Sequence, residues 1–203
     1  MNCKNAAIIF IFFIIFSFCI LCLPSITSMD IQCIGYIQTI LANINPQIPI
    51  LMGGLVFYIM TFIPLFIVSC YFYQKKLYRK IFLYCSVPFV AYFVNSVVKV
   101  ITNRPRPPIE LQIEEHMSSS SYVSRHTFLS ACVYLLFIYL VCTYCKNKVL
   151  RFFLIFVSLF WILFEGFSRI WLGVHHPSDV IGAFILSIPF VIVYIRIFQK
   201  SNS

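Results

Sequence analysis

The chain has 203 residues, of which 61% are hydrophobic and only 10% are charged. This composition excludes an ordinary soluble globular domain and is typical of an integral membrane protein. The formal net charge of +9 does not indicate a nucleic-acid partner, because most of the cations fall at one set of segment ends.

Six apolar segments each have about the 17–25 residues that cross a bilayer as a helix. They cover residues 6–23, 49–73, 81–101, 127–145, 149–167 and 180–198. The connections are mostly short, so we predict an all-α fold, a six-transmembrane-helix bundle formed by a single domain over residues 1–203. The first segment is predicted to remain as an uncleaved helix, because its apolar run is long for a signal peptide.

A shorter amphipathic stretch lies between the first two segments. From Asp30 to Asn45, isoleucine and leucine recur at helical spacing with polar residues largely between them. This pattern predicts a short helix that lies in the membrane interface between helices 1 and 2. The pattern leaves open whether this helix only connects the two spans or also admits a ligand.

Ten cations fall at one set of segment ends, which the positive-inside rule assigns to the cytoplasm. They are Lys4, Lys75, Lys76, Arg79, Lys80, Lys146, Lys148, Arg151, Arg196 and Lys200. Both termini are then expected to be cytoplasmic.

The opposite segment ends carry three clusters of basic and histidine residues. They are Lys99 with Arg104-Pro105-Arg106-Pro107, then Ser124-Arg125-His126, then Ser168-Arg169 followed by His175 and Asp179. A charged group near hydrocarbon is costly, so such residues indicate a function. Ser124 is expected to cap the fourth helix and Pro177 to begin the sixth, and helix N-termini attract anions. Together these features predict a phosphate site on the extracytoplasmic side of the membrane.

His175 and Asp179 are four residues apart, a spacing that brings two side chains together on a helical turn. A carboxylate bonded to one ring nitrogen fixes the tautomer and leaves the other nitrogen free to attack phosphorus. His126 is the candidate acid for the leaving oxygen, and afterwards the base for water. Three cations are candidates for holding the phosphoryl oxygens: Lys99, Arg106 and Arg169.

The three clusters resemble the signature of the type 2 phosphatidic acid phosphatase superfamily. The first block of that signature is Lys, six residues and Arg-Pro, which Lys99 and Arg106-Pro107 match. The third block is Ser-Arg, five residues, His, three residues and Asp, and it is matched in full. The second is usually Pro-Ser-Gly-His, where this chain has Val123-Ser124-Arg125-His126.

The resemblance implies that His175 is the nucleophile, His126 the acid and base, and Asp179 the residue that orients His175. It also implies a set of phosphate-binding residues, namely Lys99, Arg106, Ser124, Arg125 and Arg169. No metal ion or other cofactor is implied.

By the same resemblance, the chain would be a hydrolase of the bacterial plasma membrane. It would cleave a phosphate ester or diphosphate of a lipid at the extracytoplasmic surface, through a phosphohistidine intermediate. Undecaprenyl diphosphate is the leading substrate, ahead of phosphatidylglycerol phosphate, phosphatidic acid and lipid A phosphates. Its partners would be this lipid and the surrounding membrane lipids.

Arg125 is the main departure from the family pattern, because it places a large cation where the glycine backbone approaches phosphate. Its side chain must point away or contact a second phosphate, and the second case favours a diphosphate substrate. Four neighbouring residues are given other roles. We predict a loop or headgroup contact for Arg104, an ion pair with Arg169 for Glu165, a solvated loop position for His116 and a helix cap or packing role for His176.

Two other functions remain open. A metal-dependent hydrolase could use His126, His175, His176 and Asp179 as zinc ligands, although the neighbouring cations would repel Zn²⁺. The second open function is that of a non-catalytic membrane protein that binds lipid phosphates, such as a transporter or scaffold. The unusual Arg125 keeps this function open.

Overall fold

A computed structural model describes residues 3–113 and 120–200 of the chain. Eight α-helices account for most of these residues: α1 Cys3–Cys22, α2 Pro24–Ile40, α3 Gln47–Leu51, α4 Phe57–Gln74, α5 Tyr78–Thr102, α6 Arg125–Tyr144, α7 Lys148–Trp171 and α8 Pro177–Lys200. A π-helical turn, Met52–Val56, joins α3 to α4, and a 3-10 turn, Ile109–Leu111, follows α5. His116, predicted to lie in a solvated loop, falls outside the described residues.

Six helical stretches in this part of the chain are long and apolar enough to cross a membrane. The second of them, Gln47–Gln74, combines α3, the π turn and α4, and the others are α1 and α5 to α8. The predicted six-helix bundle is therefore confirmed. Each helix extends beyond or stops short of its predicted segment by a few residues, because apolar composition marks the membrane core rather than the helix ends.

The predicted extra helix is also present, but it begins earlier than the sequence pattern suggested. α2 covers Pro24–Ile40 rather than residues 30–45. Proline is favoured in the first turn of a helix, where its missing N–H leaves no bond unmade. The buried face of α2 carries Asp30 and Ile34, one turn apart, and packs against α7 and α8.

The centre of the bundle is α6, which packs against α4, α5, α7 and α8. Most of its residues from Thr127 to Val141 are buried, as expected of a helix that is apolar on all sides. α1 packs along α8. It also reaches the α5–α6 connection, where the Ser17 and Tyr122 hydroxyls lie 2.8 Å apart.

The three clusters lie at one end of the bundle, the site end. Here the last turns of α5 and α7 lie beside the first turns of α6 and α8. The Ser124 N–H at the start of α6 donates to the Asp179 carbonyl (3.3 Å), and the His175 N–H donates to the Arg169 carbonyl (3.3 Å). The first of these bonds brings the second and third clusters together, and the second lies within the third cluster.

Candidate active site

The loop between α7 and α8 presents His175, and Gly173 determines its path. Gly173 has φ +68°, a conformation that glycine adopts without the steric penalty of other residues. A Cβ there would overlap the Leu111 carbonyl oxygen. The close approach of these two backbone segments therefore requires glycine, and it directs the next residues into the bundle.

His175 contacts Asp179 as predicted. The His175 Nδ1 lies 3.4 Å from Asp179 Oδ2, and both side chains are buried. The same carboxylate oxygen accepts a hydrogen bond from the His176 backbone N–H at 2.9 Å and another from the Ser121 hydroxyl. Asp179 also lies in the first turn of α8, where the helix dipole favours a negative charge. The carboxylate is thus held in position as an anion.

The pKa of the His175 imidazole is lowered to about 3, and burial is the largest cause. The charges of Lys99 and Arg106 also lower this pKa, whereas the hydrogen bond and charge of Asp179 raise it. The ring is therefore neutral at physiological pH. If Nδ1–H donates to Asp179, the lone pair of Nε2 remains available for attack.

Lys99 and Arg106 bring the first cluster to the same place. Lys99, buried near the end of α5, donates to the Ser120 carbonyl, and Arg106 Nη1 donates to the Val174 carbonyl at 2.6 Å. The pKa of Arg106 is lowered mainly by burial, with Asp179 opposing the shift and Arg125 adding to it. Like charges are thus gathered in a partly desolvated site, and a bound anion would relieve their repulsion.

Arg125 turns toward α5. Its Nε donates to the Asn95 side-chain oxygen at 3.2 Å, and its guanidinium lies 4.4 Å from the centre of the Tyr92 ring. The guanidinium remains half-buried and within electrostatic range of Arg106. The side chains of Asn95 and Tyr92 are uncharged, so the positive charge of Arg125 adds to that of the site.

Arg169, in the last turn of α7, is almost completely buried. Its Nε forms an ion pair with Glu165 Oε1 at 3.3 Å, as the four-residue spacing predicts, and donates to the Ser168 hydroxyl at 3.1 Å. Its Nη2 donates to the Pro49 carbonyl at 3.3 Å. The guanidinium lies directly on Gly53, where a Cβ would overlap its terminal atoms.

The prediction for Arg104 is wrong. Its side chain is buried, and it bridges two carboxylates rather than contacting a loop or headgroup. Nη1 donates to Asp179 Oδ1 at 2.6 Å, and Nη2 donates to Asp30 Oδ2 at 2.9 Å. The chain turns sharply because Asn103 ends α5 in a left-handed conformation. The turn brings Arg104 against the start of α8.

Ser124 and His126 lie at the start of α6. Ser124 occupies the N-cap position, but its hydroxyl makes no capping bond. Instead it accepts a hydrogen bond from Thr127 at 3.0 Å. His126 is half-buried, with its ring edge-on to Phe57 at a centroid distance of 4.5 Å. The α6 cap expected from the serine is therefore absent.

Four residues of the site were not found from the sequence, namely Asp30, Gly53, Asn95 and Ser121. Asp30 did carry a recognisable signal. It lies four residues before Ile34, on the apolar stripe of an amphipathic helix, where a charged residue is unexpected. The other three are common residue types in membrane helices and loops, and nothing in their spacing distinguishes them.

The four residues considered as zinc ligands do not form a metal-binding group. Across residues 3–113 and 120–200, no three His, Cys, Asp or Glu side chains are grouped so that they could hold a metal ion. The His176 Nδ1 lies 3.9 Å from Asp30 Oδ2.

The chain is similar to one protein family and to two characterised proteins of Bacillus subtilis. A family model described as the PAP2 superfamily matches residues 80–203. Undecaprenyl-diphosphatase BcrC of Bacillus subtilis (strain 168) is 26% identical over 139 residues, which are 60% of this chain and 67% of that protein. Phosphatidylglycerophosphatase B of the same strain is 33% identical over 97 residues, 47% of this chain and 46% of that protein.

A solved structure shares the fold over nearly the whole chain. It is the crystal structure of the first transmembrane PAP2 type phosphatidylglycerolphosphate phosphatase from Bacillus subtilis, with a TM-score of 0.77, 24% identity and 96% of each chain covered. The six apolar helices and this fold make the chain an integral membrane protein. The family match begins in α5 and contains all three clusters, so the resemblance seen in the sequence is confirmed: the chain belongs to the PAP2 superfamily.

Proposed function

We propose that this chain is a lipid phosphatase that works through a phosphohistidine at His175 and needs no metal ion. The observation that supports this most strongly is the buried His175–Asp179 pair, next to Lys99 and Arg106. A neutral imidazole oriented by a carboxylate is a nucleophile, and nearby cations favour the charge that develops on a phosphoryl group.

In the first step, His175 Nε2 attacks phosphorus, and the bond from phosphorus to the leaving oxygen breaks. Asp179 stabilises the positive charge that forms on the ring. His126 would give its proton to the leaving oxygen. Arg125, one of the five predicted phosphate ligands, would contact a second phosphate group of the substrate. The oxygens of the transferred phosphoryl group would be held by the other predicted ligands, namely Lys99, Arg106, Ser124 and Arg169.

In the second step, water attacks the phosphohistidine and the phosphorus–nitrogen bond breaks. His126, now neutral, takes a proton from the water, and inorganic phosphate leaves. The proton from water replaces the one that His126 gave to the leaving oxygen, and both histidines return to their starting states.

The site end is proposed to face away from the cytoplasm. The helices carry many cations at the other end of the bundle, including Lys75 and Lys76 after α4 and Lys148 at the start of α7. Such ends remain on the cytoplasmic side. Both termini would then be cytoplasmic, and a lipid headgroup would reach the site from the outer leaflet.

Undecaprenyl diphosphate is the proposed substrate. Arg125 supports this choice, because it adds a cation that contacts the uncharged side chains of Asn95 and Tyr92 and acts electrostatically on Arg106. A second phosphate group could engage it. One similar protein is named an undecaprenyl-diphosphatase, whereas the second is named a phosphatidylglycerophosphatase, so phosphatidylglycerol phosphate is the second candidate.

The test is phosphate release by purified protein in detergent, from undecaprenyl diphosphate, undecaprenyl phosphate, phosphatidylglycerol phosphate and phosphatidic acid. We expect the highest kcat/KM with undecaprenyl diphosphate, and no release by His175→Ala. Release by none of the four lipids, or an active His175→Ala protein, would contradict the proposal.

The diphosphate preference has its own test in Arg125→Gly, which restores the usual family residue. Charge-assisted hydrogen bonds contribute ~1.5–3 kcal/mol, so kcat/KM for the diphosphate is expected to fall at least about tenfold. Turnover of the monophosphates is expected to change much less. Equal effects on both substrate classes would show that Arg125 does not contact a second phosphate.

A further inference from the structure

We propose that Asp30, on α2, is a positioning residue for the nucleophile: it acts through Arg104 and Ser178 to hold the Asp179 carboxylate against His175. This inference rests on the proposed function, because it assigns Asp30 to the same catalytic centre. α2 lies outside residues 80–203, which the PAP2 family model matches.

The first connection runs through Arg104. Its guanidinium donates to Asp179 Oδ1 at 2.6 Å and to Asp30 Oδ2 at 2.9 Å. Each of the three side chains is at most 7% exposed. A planar guanidinium has its donors in a fixed geometry, so two carboxylates bound to it are held at a fixed separation.

The second connection runs through Ser178, the residue before Asp179. The Ser178 backbone N–H donates to Asp30 Oδ1 at 3.1 Å, its hydroxyl donates to Asp30 Oδ2, and that hydroxyl accepts from Arg104 at 2.8 Å. Asp30 therefore binds the free N-terminus of α8 from a different helix. It fixes the turn on which Asp179 lies.

The position of Asp179 is sensitive to this arrangement. Its Oδ2 lies 3.4 Å from His175 Nδ1, which is already long for a hydrogen bond. Without the charge of Asp30, the Arg104 cation would pair with Asp179 alone and draw its carboxylate toward itself. A displacement of a few tenths of an ångström would then end the contact with His175.

A second anchor of α2 supplies a matched control. Gln38 Nε2 donates to the Leu111 carbonyl at 2.7 Å and to the Trp171 carbonyl at 3.0 Å. Gln38 thus fastens α2 to the site end through backbone groups, with no bond to Asp179 or Arg104. Gln38→Ala loosens α2 while leaving the carboxylate network in place.

The experiment compares phosphate release by the wild type, Asp30→Asn, Asp30→Glu and Gln38→Ala, each checked for folding by thermal unfolding. Asp30→Asn is expected to lower kcat at least about tenfold with KM within about threefold, because the chemistry and not the binding is affected. Asp30→Glu should recover part of the loss, and Gln38→Ala should stay within about twofold of the wild type.

The kcat of a double variant tests whether Asp30 acts through Asp179. If Asp30 acts through Asp179, then adding Asp30→Asn to Asp179→Asn should lower kcat by less than about twofold further. Additive losses, equal losses in Asp30→Asn and Gln38→Ala, or an Asp30→Asn protein within twofold of the wild type would each overturn the proposal. Should Asp30→Asn not fold, Ser178→Ala removes the hydroxyl bonds of the second connection while keeping the backbone N–H bond to Asp30, and it is expected to lower kcat with KM unchanged.

A measurement without substrate separates this inference from the proposed function. The Nδ1–H proton of His175 is assigned by NMR from its loss in His175→Ala. It is expected to shift upfield in Asp30→Asn, as its hydrogen bond weakens, and to stay in place in Gln38→Ala. An unchanged resonance in Asp30→Asn would overturn the positioning role, whereas an inactive wild type with the expected shift would contradict only the proposed function.

Discussion

Gly53→Ala tests whether the Arg169 guanidinium binds phosphate. A Cβ at position 53 would overlap the terminal atoms of Arg169. The guanidinium would have to withdraw by about 2 Å to restore ordinary contact. Because the overlapping atoms are the far end of a flexible side chain, this movement costs the fold little. It would nevertheless disturb the ion pair with Glu165, now at 3.3 Å, and the bond to Ser168.

A ligand displaced by more than about 1 Å typically costs an enzyme on the order of 100-fold in rate. We therefore expect kcat/KM to fall by about 10- to 100-fold, or ~1.4–2.7 kcal/mol. The unfolding temperature is expected to remain close to that of the wild type, since alanine is a better helix former than glycine. The assay is phosphate release from undecaprenyl diphosphate in detergent, run beside thermal unfolding.

Gly35→Ala is the matched control, because a Cβ at position 35 would meet no atom within 4 Å. It makes the same chemical change in α2 and is expected to retain full activity. A folded Gly53→Ala protein with activity within twofold of the wild type would refute the assignment of Arg169 as a phosphate ligand. Equal losses in both variants would refute the steric explanation.

Three further predictions concern pH, metal ions and stability. The pKa of His175 is lowered to about 3, mainly by burial, so the ring stays neutral above that pH. The pH profile of kcat/KM should therefore show no fall with an apparent pKa of about 6.5, the ordinary value for histidine. A fall of kcat/KM near that pH that depends on His175 would contradict this. Excess EDTA should leave kcat within about twofold of the untreated enzyme, and a loss that Zn²⁺ or Mg²⁺ restores would contradict metal-independent chemistry. Arg104→Met should lower the free energy of unfolding by about 3–5 kcal/mol, because it leaves the Asp30 and Asp179 carboxylates buried without their cation. Denaturant titration measures this free energy. A change below about 1 kcal/mol would show that the bridge between the two carboxylates is not a stabilising contact.

The features that sequence reasoning predicted are those set by composition or by local spacing. Long apolar segments identified the six spans, since a bilayer leaves few alternatives to a helix. The Glu165–Arg169 contact follows from a separation of four residues, which one helical turn brings together. The same separation indicated the His175–Asp179 contact, although His175 lies in the loop before α8 and only Asp179 is helical.

The features it missed depend on residues far apart in the chain. Arg104 and Asp30 are separated by 74 residues, so no local pattern links them. Sequence reasoning therefore predicts a loop or headgroup contact for Arg104. Gly53 is required only because the Arg169 side chain from α7 lies across it. Both cases arise from the packing of distant helices, which hydrophobic periodicity does not specify.

The attack of His175 on phosphorus is tested most directly by trapping the covalent intermediate. Wild-type protein is mixed with undecaprenyl diphosphate carrying a ³²P label on its terminal phosphate, quenched in alkali within one turnover, and digested for mass spectrometry. We predict an acid-labile, alkali-stable label on the peptide that contains His175, and none in His175→Ala. Label on His126, or steady phosphate release by wild type and His175→Ala alike without any labelled peptide, would contradict the account.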